Sequence, residues 1–166
     1  MSIPHLDERG RARMVDVSEK PVTERVAIAK GSIMMSTETL RQISDKKIKK
    51  GDVLTVAQVG GIMGAKWCST LIPLCHPLEI DDVAIEFDLE ERDGRGKVTV
   101  LAEVKSSGKT GVEMEALTAC TIALLTIYDM CKSLERGMEI GEIYLVEKRG
   151  GESGTWRREE GVNGAA

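Results

Sequence analysis

Few residues in this chain pair polarity with a placement that could serve chemistry: Lys50, Lys66, His76, Glu113, Glu115, Asp129, Lys132 and Lys148. Asp129 and Lys132 stand three apart, which puts them on neighbouring positions of one helix face. An aspartate holding a lysine is a proton-transfer couple when burial lowers the lysine pKa toward neutrality. The plainer alternative is an ordinary surface ion pair. Lysines outnumber histidines in this set, which suits a phosphate-bearing substrate handled by point charges and acid–base steps. Cys68, Cys75 and His76 match no common structural zinc spacing, so no metal site is expected.

The element that must position most of these groups is the stretch Thr110 to Lys132, TGVEMEALTACTIALLTIYDMCK. It reads as one long helix. Thr110 and Glu113 have capping-box spacing, and Gly137 follows as a stop. No charge falls between Glu115 and Asp129, and small residues at Ala116, Ala119, Cys120 and Ala123 would let another backbone approach. The uncharged run is shorter than the ~20 residues of a membrane span. An apolar surface all round marks a helix covered on more than one side. Glu115 and Asp129 are separated by roughly 21 Å of helix rise. A nucleotide-sized ligand does not easily touch both ends. If both serve a site, that site is expected to be shared between chains.

The other candidates sit on shorter elements. A basic loop, Lys46 to Lys50, precedes Asp52, the expected N-cap of a helix from Val53 to about Cys68. Lys50 thus stands beside a helix N-terminus, which attracts anions, although a basic loop is also an ordinary solvated connector. Gly60, Gly61 and Gly64 each cost that helix about 1 kcal/mol relative to alanine, a sign of close packing. In LIPLCHPL, Pro73 and Pro77 stiffen the segment that presents His76, which is either a core histidine or a ligand-facing one.

Strands are expected at Arg25 to Ser36, Glu79 to Glu91, Lys97 to Ser106 and Glu139 to Lys148. Gly31 marks a bulge or close approach in the first strand. A turn at Arg92 to Gly96 makes a hairpin of the second and third strands, and a short helix covers Glu38 to Ser44. The βαββαβ order, with a doubled first crossover, predicts a ferredoxin-like α+β sandwich: a four-stranded, mostly antiparallel sheet with helices on one face. Three parts are expected: a mobile N-terminal segment at 1–24, one catalytic domain at 25–148, and a flexible glycine-rich tail at 149–166 that ends in Ala165 and Ala166. His5, the other histidine, falls in the first part.

Composition narrows the class. The 166 residues suit one domain, with 42% apolar and 30% charged side chains. A net charge of −4 argues against a general nucleic-acid binder. The four cysteines, Cys68, Cys75, Cys120 and Cys131, show no disulfide framework and read as reduced thiols. With no leader or spanning segment evident, a cytoplasmic location is expected, with no membrane or nucleic-acid partner.

The motifs KGDVL, LIPLCHPL, KTGVEMEALTA, LTIYDMCK and the final GG-x-SG, in this order and with MVDVS near the start, closely resemble the molybdenum cofactor biosynthesis protein C family, the cyclic pyranopterin monophosphate synthases. The resemblance implies conversion of 3′,8-cyclo-7,8-dihydro-GTP to cyclic pyranopterin monophosphate with release of pyrophosphate. It also implies a lyase without cofactor or metal, and a homo-hexamer, a trimer of dimers, with sites at subunit interfaces. By matching motif, Asp129, Lys132 and Lys50 take catalytic positions. Leu74, Cys75, His76, Glu113, Met114 and Glu115 take substrate-binding ones. Lys66 and Lys148 match basic positions that could meet the triphosphate, and Arg25 is a further candidate. Glu152 in GGESG departs from the lysine common there, which puts a phosphate role for that position in doubt. Two other classes are weighed. One is a non-catalytic nucleotide-binding module. The other is an RNA-binding module, for which Phe87 is the lone stacking candidate of the hairpin.

Overall fold

The computed structural model describes residues 9–159. The first eight residues of the expected N-terminal segment, with His5, and residues 160–166 of the expected tail, with Ala165 and Ala166, lie outside the described residues. The elements are β1 (Thr23–Ser36), α1 (Thr37–Ser44), α2 (Val53–Lys66), α3 (Cys68–Leu71), β2 (Asp82–Arg92), β3 (Arg95–Gly108), α4 (Glu113–Cys131), β4 (Glu139–Arg149) and β5 (Trp156–Arg157). They form one antiparallel sheet in the order β2-β3-β1-β4-β5, with the helices packed on one face. This is the ferredoxin-like α+β arrangement. The sheet has five strands rather than four, because Trp156 and Arg157 return along the edge of β4.

Strand alternation sets the core. Along β3 every second residue from Gly96 to Ser106 is buried, and Val98, Val100, Ala102 and Val104 are fully covered. They face Ala27, Ala29, Ile33 and Met35 of β1 and the apolar sides of the helices. Phe87 belongs to this packing, set against the core, so the stacking aromatic that an RNA-binding surface needs is turned inward. Asp93 and Gly94 join β2 to β3 with φ of 52° and 75°, the two-residue type I′ turn that matches strand twist. At Gly31 both readings of the glycine hold. The β1–β4 register shifts between Lys30 and Ser32, and an added methyl would lie 2.8 Å from Leu124 Cδ1.

α4 differs from the sequence reading at both ends. Its N-cap is Val112, which makes no side-chain capping bond, so the Thr110–Glu113 capping box does not form. Glu113 instead folds its carboxylate back over Gly111. At the other end Lys132 is the C-cap, and the chain turns through a Leu134 N–H to Cys131 carbonyl bond of 2.8 Å, before Gly137 is reached. With 19 residues, α4 is long and apolar enough by length and composition to cross a membrane, unlike the shorter uncharged run counted from sequence. Here it is the core helix, packed against β1, β3, β4 and α2.

The helix expected from Val53 to Cys68 breaks at Trp67 and resumes as the single turn α3. Asp52 caps α2 as expected, accepting from the Thr55 amide at 3.2 Å. α2 runs antiparallel to α4: Gly60 lies against Thr126, Gly61 against Ala123 and Gly64 against Ile122. Glycines let the two backbones approach, and a methyl at Gly64 would sit 2.8 Å from Ile122 Cγ1. The antiparallel packing brings the start of α2 to the end of α4 and the end of α2 to the start of α4.

Candidate functional site

The first consequence of this pairing is a cluster at the C-terminal end of α4. Asp129 Oδ1 takes the Lys132 ammonium at 2.6 Å, and Oδ2 takes that of Lys50 at 3.4 Å. Lys50 also donates to the Asp129 carbonyl at 2.8 Å, so a cation closes a helix end whose carbonyls carry partial negative charge. The Lys132 hydrogen bond and charge, with Lys50 adding, hold the Asp129 carboxyl below its usual range. The three side chains are 42 to 59% exposed. Within one protomer the cluster is therefore a surface one, the plainer of the two readings of the Asp129–Lys132 pair.

The second cluster lies at the start of α4, around a hollow of about 370 Å³. Leu74, Cys75 and His76 form one wall, Glu113, Met114 and Glu115 another, and Val15, Val17 and Lys20 a third. His76 Nε2–H donates to the Val15 carbonyl at 2.8 Å, so the stiff LCHP segment holds the N-terminal residues over the hollow. In the neutral ring this leaves Nδ1 as acceptor. Glu115 is 3% exposed. Burial pushes its carboxyl above the ordinary range; its own backbone amide and the Cys68 thiol partly oppose this, and the Glu113 charge adds to it. A carboxyl shifted in this direction holds its proton to higher pH than an exposed one. Burial likewise pushes the Cys68 and Cys120 thiols up to about 12 and Cys131 to about 11, so these are packing groups rather than nucleophiles. All four cysteines are free.

Raising a carboxyl has a consequence for stability. A Glu115 side chain with an unfolded pKa of about 4.3 and a higher folded one favours the fold most below the unfolded value. That contribution is lost as pH rises through the folded pKa. Glu115→Gln, neutral at every pH, should therefore gain in Tm relative to wild type as pH increases from 4 toward neutrality. Thermal melts at a series of pH values check this. A difference that does not change with pH would contradict it.

The remaining candidates flank the second cluster. Lys66 lines a neighbouring hollow of about 400 Å³, with Leu78 common to both. Lys148 bonds the Ser153 hydroxyl, and Arg25, largely buried, donates to the Gly108 and Lys109 carbonyls at 3.3 Å. Arg25, Gly151, Glu152 and Ser153 border a further hollow of about 250 Å³, and Lys20 lines both this one and the His76 hollow. Glu152 thus stands among cations even though it departs from the expected lysine. Sequence reasoning passed over Lys20, whose only signal was its position just after MVDVS. Among the described residues no group of three or more His, Cys, Asp or Glu is placed to hold a metal ion.

The candidate residues of one chain thus fall into two sets at opposite ends of α4, separated by roughly 21 Å of helix rise. The fold and its clustered acid, lysine and histidine side chains define a ferredoxin-like α+β enzyme. Residues 14–151 match the family model described as the MoaC family, and the chain belongs to that family. Among its relatives is a cyclic pyranopterin monophosphate synthase of Thermoanaerobacter pseudethanolicus, 58% identical over 159 residues, covering 96% of this chain and 99% of that protein. A protein of the same name from Thermomicrobium roseum is 53% identical over 158 residues, covering 95% and 94%. Cyclic pyranopterin monophosphate synthase 1 of Mycobacterium tuberculosis is 55% identical over 158 residues, covering 95% and 91%.

Proposed function

We propose that this chain is a cyclic pyranopterin monophosphate synthase of molybdenum cofactor biosynthesis. It converts 3′,8-cyclo-7,8-dihydro-GTP to cyclic pyranopterin monophosphate and releases pyrophosphate, as a phosphorus–oxygen lyase. The observation that carries this reading is the near full-length identity to proteins of that name. The chemistry of the side chains agrees. The reaction must open a purine-derived ring, form a pyrazine ring and close a cyclic phosphate on the α-phosphorus, so it needs several proton transfers. Asp129 orients Lys132 and Lys50 for those transfers. Glu115, whose buried carboxyl holds its proton more tightly than an exposed one, is a second acid group there.

Leu74, Cys75, His76, Glu113 and Met114 hold the pterin-forming part. Lys66 and Lys148, with Arg25, meet the triphosphate. As pyrophosphate leaves, cations so placed stabilise the charge that develops on it. The catalytic unit is residues 25–148. The flanking segments contribute to the hollows through Val15 and Lys20 on one side and Ser153 on the other.

The active form is a homo-hexamer, a trimer of dimers, in the cytoplasm, with each site built from the α4 start of one chain and the α4 end of another. Two observations support assembly. The two clusters are too far apart for one small ligand, and α2 with the Trp67 that follows it exposes the apolar side chains Val56, Val59, Met63 and Trp67 along one side. The test is an assay with the purified protein and the cyclised GTP intermediate, read as pterin product and pyrophosphate, beside a solution mass. Stoichiometric formation of both products is expected. Binding without turnover would favour the nucleotide-binding module instead.

A further inference from the structure

Glu135 has no part in the chemistry above, yet its carboxylate is the most heavily hydrogen-bonded side chain near the Asp129 cluster. It accepts from the Ser36 amide at 2.9 Å, the Ser36 hydroxyl at 2.8 Å and the Thr39 hydroxyl at 2.8 Å. Burial pushes the Glu135 carboxyl up, but these donors, with Arg95 nearby, outweigh it and hold the group below its usual range. It is ionised at neutral pH, at the positive end of α1.

Its place in the chain gives the contact meaning. Glu135 lies three residues after Lys132, in the turn that leaves α4. Ser36 and Thr39 open α1, and α1 leads directly to the loop that carries Lys50. That route is stiff. α1 buries Leu40 and Ile43 against the sheet, and at Gly96 of β3 an added methyl would lie 2.6 Å from Leu40 Cβ. The following loop is closed by amide bonds from Lys46 to the Ile43 carbonyl, Lys47 to Gln42 and Gly51 to Ile48, and by the Lys46–Asp52 ion pair at 2.8 Å. Two ties therefore join the same two segments: Lys50 to Asp129 at one point, and Glu135 to the start of α1 at another. α1 does not need Glu135 as a cap, since the Ser36 hydroxyl already accepts from the Thr39 amide at 3.2 Å.

We propose that Glu135 is a positioning residue, which fixes the turn after α4 to α1 and so sets the distance between the Lys132 and Lys50 ammonium groups across Asp129. The proposal rests on the functional reading above for its kinetic consequence only. Misplacing a catalytic group by about 1 Å costs on the order of 100-fold in rate. Glu135→Gln should therefore lower kcat by about 10- to 100-fold with KM within about twofold of wild type. Thr39→Val, which removes one donor and leaves Glu135 charged, should give a smaller loss in the same direction. Val104→Ala, which loosens the core in β3 away from α1 and the tie, is the control and should retain wild-type kcat.

An activity-independent measurement accompanies these rates: the titration by NMR of the Asp129 carboxyl, which Lys132 and Lys50 together hold low. In Glu135→Gln, or in Thr39→Val if the first variant does not fold, the Asp129 titration should rise toward the ordinary carboxylate range as the lysines move away. Wild-type kcat in the tie variants, or an equal loss in Val104→Ala, overturns the proposal, as does an unmoved Asp129 titration. If the wild-type protein does not turn over the cyclised intermediate, the functional reading fails. The NMR titration then still decides whether Glu135 positions the lysines.

Discussion

Asp129→Asn should lower pyranopterin formation by about 10²- to 10⁴-fold, the usual contribution of a positioned acid–base group. The substitution keeps the size of the side chain and removes its charge. Asp129 holds Lys132 at 2.6 Å through one oxygen and Lys50 at 3.4 Å through the other. An asparagine must turn an amide N–H toward one of the two ammonium groups, so one lysine loses its partner. Lys132→Ala should have an effect of the same order, since it removes the other member of the couple. The fold should survive both. The Asp129 side chain is 59% exposed, and surface substitutions of this kind stay within about 0.5 kcal/mol. The measurement is kcat with the cyclised intermediate beside a thermal melt. Full activity in either variant would refute the assigned roles, whatever the melting temperature.

Two inactive variants should also restore each other. Asp129→Asn damages the cluster at the end of α4, and His76→Ala damages the one at its start. Each variant should be inactive alone. If sites are shared between chains, dissociating and reassembling an equal mixture should place an intact α4 end beside an intact α4 start in about one quarter of the sites. Activity would rise from near zero to roughly that share of wild type. If each chain carries a complete site, every site in the mixture keeps one lesion and no activity returns. The argument for sharing is the helix rise of roughly 21 Å between Glu115 and Asp129, because the two clusters of one chain lie at opposite ends of a rigid rod. Recovery in the mixture would show that another chain closes that gap. Its absence, with reassembly verified by mass, would remove the interface from the account.

Much of this was legible in the residues. Alternation in β1 and β3, the Asp-Gly turn between β2 and β3, and the Asp52 cap of α2 are local signals, and the structure follows them. Two local readings at the ends of α4 failed, each because a neighbour overrode the signal. Thr110 does not cap α4, since Glu113 turns back over Gly111 instead. Gly137 does not end α4, since a turn closed on the Cys131 carbonyl ends it first. β5 went unseen, since two residues carry no periodicity and the pairing with Glu147 and Lys148 defines the strand.

The sequence by itself determined what lies along a single element. Asp129 and Lys132 share a helix face, Glu115 and Asp129 stand far apart, and the order of strands and helices prescribes the sandwich. These follow from rise and periodicity, which depend on neighbours only a few residues away. Only the tertiary structure decided which distant segments meet. Lys50 reaches Asp129 across 79 residues, His76 reaches Val15 across 61, and Glu135 reaches Ser36 across 99. Those contacts depend on α2 lying antiparallel on α4, closely enough that Gly60, Gly61 and Gly64 have no room for a side chain. Packing of that kind is a property of two surfaces fitted together, and no spacing within either segment encodes it.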